Sequence, residues 1–380
     1  MSGVRFLGAG LHTHLGRGVA ANLDALERAP PRPVLTPVPL GAGVEHVPSM
    51  PMADAPLADF DTRLMRVAVD VAEEAIAAAG LSEAQRRETA LFVGTSSLDI
   101  SVTEAVYKRE LAAGLDAHPL TLNSSMGNLG NELRRALRLG GADFTFNTAC
   151  TASANALLYA DAMVRAGYAK TALVLGLEAF NAITALGFQS LDLLARDGMK
   201  PFDAGRRGLV LGEGCSALVV GMDDSTGFRL KGGANGCDPY GISAANPDGS
   251  TIAGVMADAL RAAGTDATAL RAIKTHGTAS LLNDEAEAAG LLRVFASPPP
   301  VSALKPFIGH TFGACGLNEL ILFCGAVERG FVPGTPGIGA SAEELGVTLT
   351  QGPTPVEPGA FLLNYFGFGG NNSALVVANA

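Results

Sequence analysis

Cysteine is scarce in this 380-residue chain: five residues, at 150, 215, 237, 315 and 324, with no CxxC pair. An odd count with no paired framework excludes a disulfide scaffold and fits a reducing compartment, where a single thiol is free to react. No stretch reaches the roughly 18 apolar residues of a membrane span, and the opening MSGVRFLGAGLHTH lacks a secretory pattern. A soluble, cytoplasmic protein is expected. The 47 Gly and 21 Pro follow no period, which excludes collagen-like and low-complexity chains. Basic residues are outnumbered 27 to 37, leaving a net charge of −10 and arguing against broad nucleic-acid binding. No metal-ligand spacing occurs. GEGCSA (212–217) matches GxGxxA, yet it lies in an apolar strand with no helix following, so dinucleotide binding is set aside.

What remains is an alternation of apolar strands and helices. Val4–Gly10, Leu91–Gly94, Phe144–Phe146, TALVLGLE (171–178), GCSALVVGM (214–222), GFRLKGGANG (227–236), AIKTHG (272–277) and VSALKPFIGH (301–310) read as strands. FLLNYFGFGGNNSALVVANA (361–380) reads as two strands around a glycine turn. Helical spacing predicts helices from Asp61 to a stop at Gly80, over Asn128–Leu139, Ser153–Ala166, Ser250–Ala263 and Gly316–Ala326. The proline-rich residues 30–57 are expected to form an irregular crossing loop. This is α/β grammar with buried sheets. The best boundary is the polar break Met222–Thr226, dividing the chain into residues 1–222 and 223–380.

Cys150, in NTACTASAN, sits between a predicted strand and a predicted helix. Such an elbow exposes a nucleophile at a helix start, where backbone amides favour a thiolate, so the thiol pKa is expected to fall. A small buried hydrophobe is the alternative reading of any cysteine. The small neighbours Thr148, Ala149, Thr151, Ala152 and Ser153 leave room for a substrate. Two of the six histidines, His276 in KTHGTA and His310 in FIGHTFG, end predicted strands beside glycine, where ligands approach an α/β sheet.

The segments NTACTASAN, KPFDAGRRGLVLGEGCSALVV, THGTASLLND, SALKPFIGHTFGACG and NYFGFGGNN, in that order, resemble the β-ketoacyl-[acyl carrier protein] synthases of the decarboxylating elongation type. The resemblance runs from about Val4 to Val377 and implies a thiolase-like, five-layer αβαβα fold of two pseudo-equivalent halves, usually dimeric. It implies that Cys150 takes an acyl group as a thioester, and that His276 and His310 stabilise the enolate formed when malonyl-[acyl carrier protein] loses carbon dioxide. Under that division His310→Ala spares acylation and loses decarboxylation. The amides of Cys150 and Phe368 would form the oxyanion hole, with Phe368 as a gate.

By the same resemblance Lys305 and Glu319 belong to a buried polar network, which Asp284 and Glu287 would complete. Thr278 and Ser280 would hydrogen-bond the phosphopantetheine arm; Ser280 stands where threonine is usual. No cofactor is implied beyond substrates carried on the phosphopantetheine of acyl carrier protein. An acidic carrier needs a local basic face, for which Arg63 and Arg66 are the first candidates and Arg134, Arg135 and Arg138 the second. Residues 122–133 are a candidate pocket lining. The expected partners are acyl carrier protein and a second copy or a second ketosynthase-like chain. Cys315 falls where relatives carry a small residue, so it does not by itself make the chain a thiolase. A different class of protein, a non-catalytic chain-length-factor-like subunit, usually lacks the nucleophile that is present here.

Overall fold

The computed structural model describes residues 3–28, 31–41, 43–53, 60–97, 100–114, 128–223 and 226–379. Along the main path of the large sheet, five strands come from the first part of the chain: β1 (Arg5–Thr13), β2 (Ala90–Gly94), β3 (Asp143–Phe146), β4 (Thr171–Glu178) and β5 (Gly214–Gly221). Five come from the second: β6 (Arg229–Cys237), β7 (Leu270–Lys274), β8 (Val301–Ser302), β9 (Ala360–Gly367) and β10 (Asn371–Ala378). The first set lies in the order β3–β2–β4–β5–β1 and the second in the order β8–β7–β9–β10–β6. In each set the three strands farthest from the joint pair in parallel, while the fourth and fifth in sequence pair antiparallel. The same topology is therefore built twice. The two sets meet where β1 touches β6, at Arg5 opposite Arg229.

Among the helices of the described residues, seven build the layers and the site: α1 (Phe60–Ala78), α2 (Asn128–Ala136), α3 (Ala152–Arg165), α4 (Ala182–Ser190), α5 (Ser250–Ala263), α6 (Leu281–Val294) and α7 (Cys315–Glu328). Strand alternation distributes them into layers. Along β4, Leu173, Leu175 and Leu177 pack outward on α1 with Leu64, Ala68 and Val71. Val174 on the same strand packs inward with Leu157 of α3 and Leu320 of α7. On β9, Phe361, Leu363 and Tyr365 join that inner cluster, whereas Leu362 and Phe366 turn outward to Ile252, Met256 and Leu291 on α5 and α6. The result is five layers, αβαβα, with three apolar interfaces. Helix α7 lies in the middle layer, and every residue from Cys315 to Val327 is buried. A helix walled on all sides has no polar face to read as amphipathic.

Three sequence expectations are corrected. Residues 301–310 are strand only at Val301–Ser302; Lys305–Ile308 form a helical turn, opened by Pro306, which lacks a ladder donor but suits a first helical turn. The proline-rich crossing is not irregular: Val34–Leu40 and Gly43–Met50 pair antiparallel, with Pro37 and Pro39 on an edge strand that can spare their missing N–H groups. The helix expected to reach Leu139 ends at Ala136. Part of the 222–226 break and residues 122–127 of the candidate lining lie outside the described residues.

Candidate active site

Cys150 stands on an elbow between β3 and α3. Ala149 adopts φ +50°, a left-handed conformation that turns the chain sharply just ahead of the nucleophile. Thr151 Oγ1 donates to Thr148 O at 2.8 Å, and Asn155 Nδ2 donates to Thr148 Oγ1 at 2.9 Å, fastening the turn to the helix. The side chain opens into a cavity of about 270 Å³ that His276, His310, Thr278, Ser280, Phe188 and Phe368 also line. The amides of Phe368 and Cys150 both face Sγ. The approach depends on Gly367, where a Cβ would come within 3.0 Å of the Cys150 nitrogen.

His310 follows Gly309, whose φ of +71° and close packing on Gly212 admit no side chain. Its N–H donates to Val210 O at 2.7 Å and its carbonyl accepts from Gly212 N at 2.9 Å, and Nε2 lies 3.1 Å from Cys150 Sγ. His276 meets the His310 ring edge to face, with centroids 5.4 Å apart. Lys305 Nζ reaches His276 Nδ1 at 3.2 Å and His276 O at 2.7 Å. An ammonium can only donate, so Nδ1 accepts and the ring proton sits on Nε2. Burial, followed by the charge of Lys305, holds both histidines well below the usual imidazole range, so both rings are neutral.

The thiol departs from expectation. Burial pushes Cys150 up to about 12, outweighing the lowering influence of Lys305 and of the two amides. The helix start alone predicted a fall. At 7% exposure, desolvation of a thiolate wins, and Cys150 is a neutral thiol whose proton can pass to His310 Nε2.

Beneath the histidines Lys305 Nζ donates to Glu319 Oε1 at 2.7 Å. Burial opposes the charge on Lys305, but Glu319 overcomes it and holds the ammonium above its usual range. Asp284 and Glu287 do not join this network by hydrogen bonds. Glu287 accepts from His276 N at 2.7 Å and Gly277 N at 2.9 Å, and Asp284 accepts from Phe202 N and Ala279 N. These carboxylates meet backbone donors before any ammonium: three from the loop after β7 and one, Phe202 N, from a separate segment. Burial raises Asp284 to about 6 and Glu287 to about 7. Thr278 Oγ1 and Ser280 Oγ lie 3.0 Å apart on the cavity wall.

Phe368 stacks on Phe188, with centroids 5.3 Å apart and planes 7° apart, and Phe188 meets Phe312 edge on. Both stacked rings line the cavity with Cys150. Arg66 is exposed, but Arg63 is not a docking residue: at 1% exposure it pairs with Glu213 at 2.5 and 2.8 Å. The reason is helical register, because Arg63 stands one turn before buried Val67 and two before Val71. Arg134 and Arg138 are tied to Asp143 and Glu83.

Three contributors escaped the sequence reading. Glu178, at the end of β4, accepts from Ser96 N and Oγ, Ser97 N and Gly313 N, joining the segments either side of the elbow. Cys315 Sγ donates to Cys150 O at 3.0 Å. Lys274 is fully buried and donates to Glu319 Oε2 at 2.6 Å. The signal for Lys274 was there: a lysine two residues before His276, on the same strand face, in an apolar strand. No group of three or more potential metal ligands occurs among the described residues.

Two family models match the chain: "Beta-ketoacyl synthase, N-terminal domain" over residues 48–224 and "Beta-ketoacyl synthase, C-terminal domain" over residues 228–338. The chain is 28% identical over 285 residues to the chloroplastic 3-oxoacyl-[acyl-carrier-protein] synthase II of Arabidopsis thaliana, covering 69% of this chain and 52% of that protein. It is 30% identical over 282 residues to the 3-oxoacyl-[acyl-carrier-protein] synthase 2 of Vibrio cholerae, covering 67% and 66%. It thus spans about half to two thirds of the length of these relatives. Among solved structures, the ketosynthase ApeO of Xenorhabdus doucetiae, in complex with its chain length factor ApeC, superposes with a TM-score of 0.82 at 26% identity, over 100% of this chain and 98% of that one.

Proposed function

The chain belongs to the β-ketoacyl synthase family, and from that premise we propose that it performs a decarboxylative Claisen condensation between an acyl thioester and malonyl-[acyl carrier protein]. The observation that carries this reading is the convergence of one thiol, two neutral imidazoles and two amides on a single cavity. In the first half-reaction Cys150 Sγ attacks the carrier's thioester carbonyl while its proton passes to His310 Nε2, and the departing pantetheine sulfur takes that proton. His310 is neutral again, and Cys150 carries the acyl group.

Malonyl thioester then enters past Phe368. Its C–C bond to the carboxylate breaks, carbon dioxide leaves, and the electron pair moves onto the thioester oxygen as an enolate. The Nε2–H of His276, fixed by Lys305, donates to that oxygen; His310 donates beside it once the proton that loading leaves on Nδ1 has moved to Nε2. The enolate carbon attacks the Cys150 thioester. Negative charge on that carbonyl oxygen meets the amides of Cys150 and Phe368, and collapse releases β-ketoacyl-[acyl carrier protein] and the Cys150 thiolate, which regains a proton from solvent.

Acyl carrier protein is accordingly the proposed partner, delivering both substrates on phosphopantetheine along the wall of Thr278 and Ser280. Arg66 remains the proposed docking cation on α1. The protein is proposed to pair with a second copy or with a ketosynthase-like mate; ApeO, similar in fold, is in complex with a chain length factor. The work is proposed to take place in the cytoplasm. Among the described residues no helix is long and apolar enough to cross a membrane.

The test is to incubate the purified protein with a panel of acyl-carrier proteins, record its intact mass, then add malonyl-carrier protein. An acyl adduct absent from Cys150→Ala, followed by β-ketoacyl product, supports the reading. No adduct with any donor, alone or with a co-expressed mate, overturns it in favour of a non-catalytic subunit.

A further inference from the structure

Glu319 is shared. Its Oε1 accepts from Lys305 and its Oε2 from Lys274, at 2.7 and 2.6 Å, and all three side chains are fully buried. One lysine is enough to balance one carboxylate, and Lys305 alone also reaches His276. Lys274 is therefore surplus to the pairing, and a buried surplus charge is costly. Its ammonium is nevertheless completely provided for. Besides Glu319 it donates to Asn364 O at 2.7 Å, and it lies 3.6 Å from the centre of the Tyr365 ring. Lys274 does not line the cavity, so it acts only through its neighbours.

We propose that Lys274 is a positioning residue: it leaves the Lys274–Glu319–Lys305 group with one uncompensated positive charge beneath His276 and His310, which keeps both imidazoles neutral and favours the negative charge that a malonyl group carries in and passes to its enolate oxygen. The inference rests on the condensing-enzyme reading above.

The groups facing this charge are Lys305, Glu319 and Cys315 from the turn before α7 and from α7 itself, Tyr365 from β9, and Glu287 from α6. The histidines lie next, with Cys150 and Glu178 beyond them. Burial first, and then Lys305, bring Lys274 down to about 8, so it is the first of the two lysines to lose its proton as pH rises. The sign of each limb follows. Removing the cation lets the imidazoles protonate at higher pH, moving the acid limb of decarboxylation upward; in the wild type, deprotonation of Lys274 brings a decline above pH 8.

The experiment compares wild type, Lys274→Met and Lys274→Arg in acyl loading by intact mass and in malonyl decarboxylation from pH 4.5 to 9. In Lys274→Met the acid limb is expected to move up by about one pH unit, a loss that approaches about tenfold only below both limbs, with loading less affected. The decline above pH 8 should vanish, and Lys274→Arg should restore the acid limb. Superimposable acid limbs in wild type and Lys274→Met overturn the inference. If neither variant folds, ¹⁵N NMR of the wild-type histidines decides: imidazole shifts of His276 and His310 that respond to loss of the Lys274 proton near pH 8 support it, and shifts flat from pH 7 to 9 overturn it. A wild type that loads no acyl group or does not decarboxylate overturns the condensing-enzyme reading itself, whereas an active wild type matched by Lys274→Met removes only the role of Lys274.

Discussion

His310 Nε2 lies 3.1 Å from Cys150 Sγ, whereas His276 faces His310 edge to face at 5.4 Å between ring centroids. The two histidines are therefore not equivalent in place. In the proposed reaction His310 stands at the thiol and at the enolate site, and His276 serves the enolate through a tautomer fixed by Lys305. The proposal thus adds receipt of the thiol proton to the division in which His310 acts only in decarboxylation.

His276→Ala is expected still to load an acyl group while decarboxylation falls about 10²–10³-fold, the usual effect of removing one charge-stabilising donor. His310→Ala should lose both steps, with loading slowed about 10²-fold or more for want of a general base. Separate assays of acyl-enzyme formation and of carbon dioxide release check this. Undiminished loading by His310→Ala would return that residue to decarboxylation alone.

Alkylation of Cys150 by iodoacetamide should be slow at neutral pH and climb with no plateau up to pH 10, because burial holds the thiol pKa near 12. The sign is that of a raised thiol: below its pKa, each pH unit increases the thiolate about tenfold. A plateau below pH 7 would mean that the helix start prevails over burial.

Arg63→Met leaves Glu213 buried without its cation and should cost about 3–5 kcal/mol, read as a lower melting temperature or denaturant midpoint. Glu213 also accepts from Met52 N and Phe180 N, so the damage spreads to two further segments. Arg66→Glu should leave stability within about 0.5 kcal/mol, as surface changes do, and weaken carrier-protein binding. Equal melting temperatures for Arg63→Met and wild type would refute the structural assignment.

Gly309→Ala places a Cβ at φ +71°, 2.9 Å from the backbone of Gly212. Strain of about 1–3 kcal/mol is expected, together with a displaced His310 and a loss of loading beyond what instability explains. A variant that melts lower yet loads normally would show that His310 keeps its place by other contacts.

The sequence exposed Cys150, His276 and His310 because each ends or follows a short apolar strand beside small residues, a pattern that has little to do with packing. The layered fold was legible for a related reason: strands buried on both faces leave unbroken apolar runs such as TALVLGLE. Arg63 was misread because its place on α1 depends on which face meets the sheet, and helical spacing shows a stripe without fixing the end residues that extend it. Glu287 and Asp284 were assigned to the lysine network by the resemblance, while their hydrogen-bond partners, backbone amides, leave no mark in side-chain pattern. The fall expected of Cys150 failed for want of a burial value; the helix start is local, but desolvation is a property of the whole interior.

The doubled strand topology has a consequence for how this chemistry is kept. The nucleophile comes from the elbow after β3 of the first set, the histidines from the turns after β7 and β8 of the second, and α7 carries Glu319 through the layer between them. Neither repeat holds a reactive unit alone. Loading of Cys150, as proposed, would thus gauge the whole molecule's integrity, and a nick or local melting in either repeat is expected to disarm the thiol before it can discharge an acyl group to water.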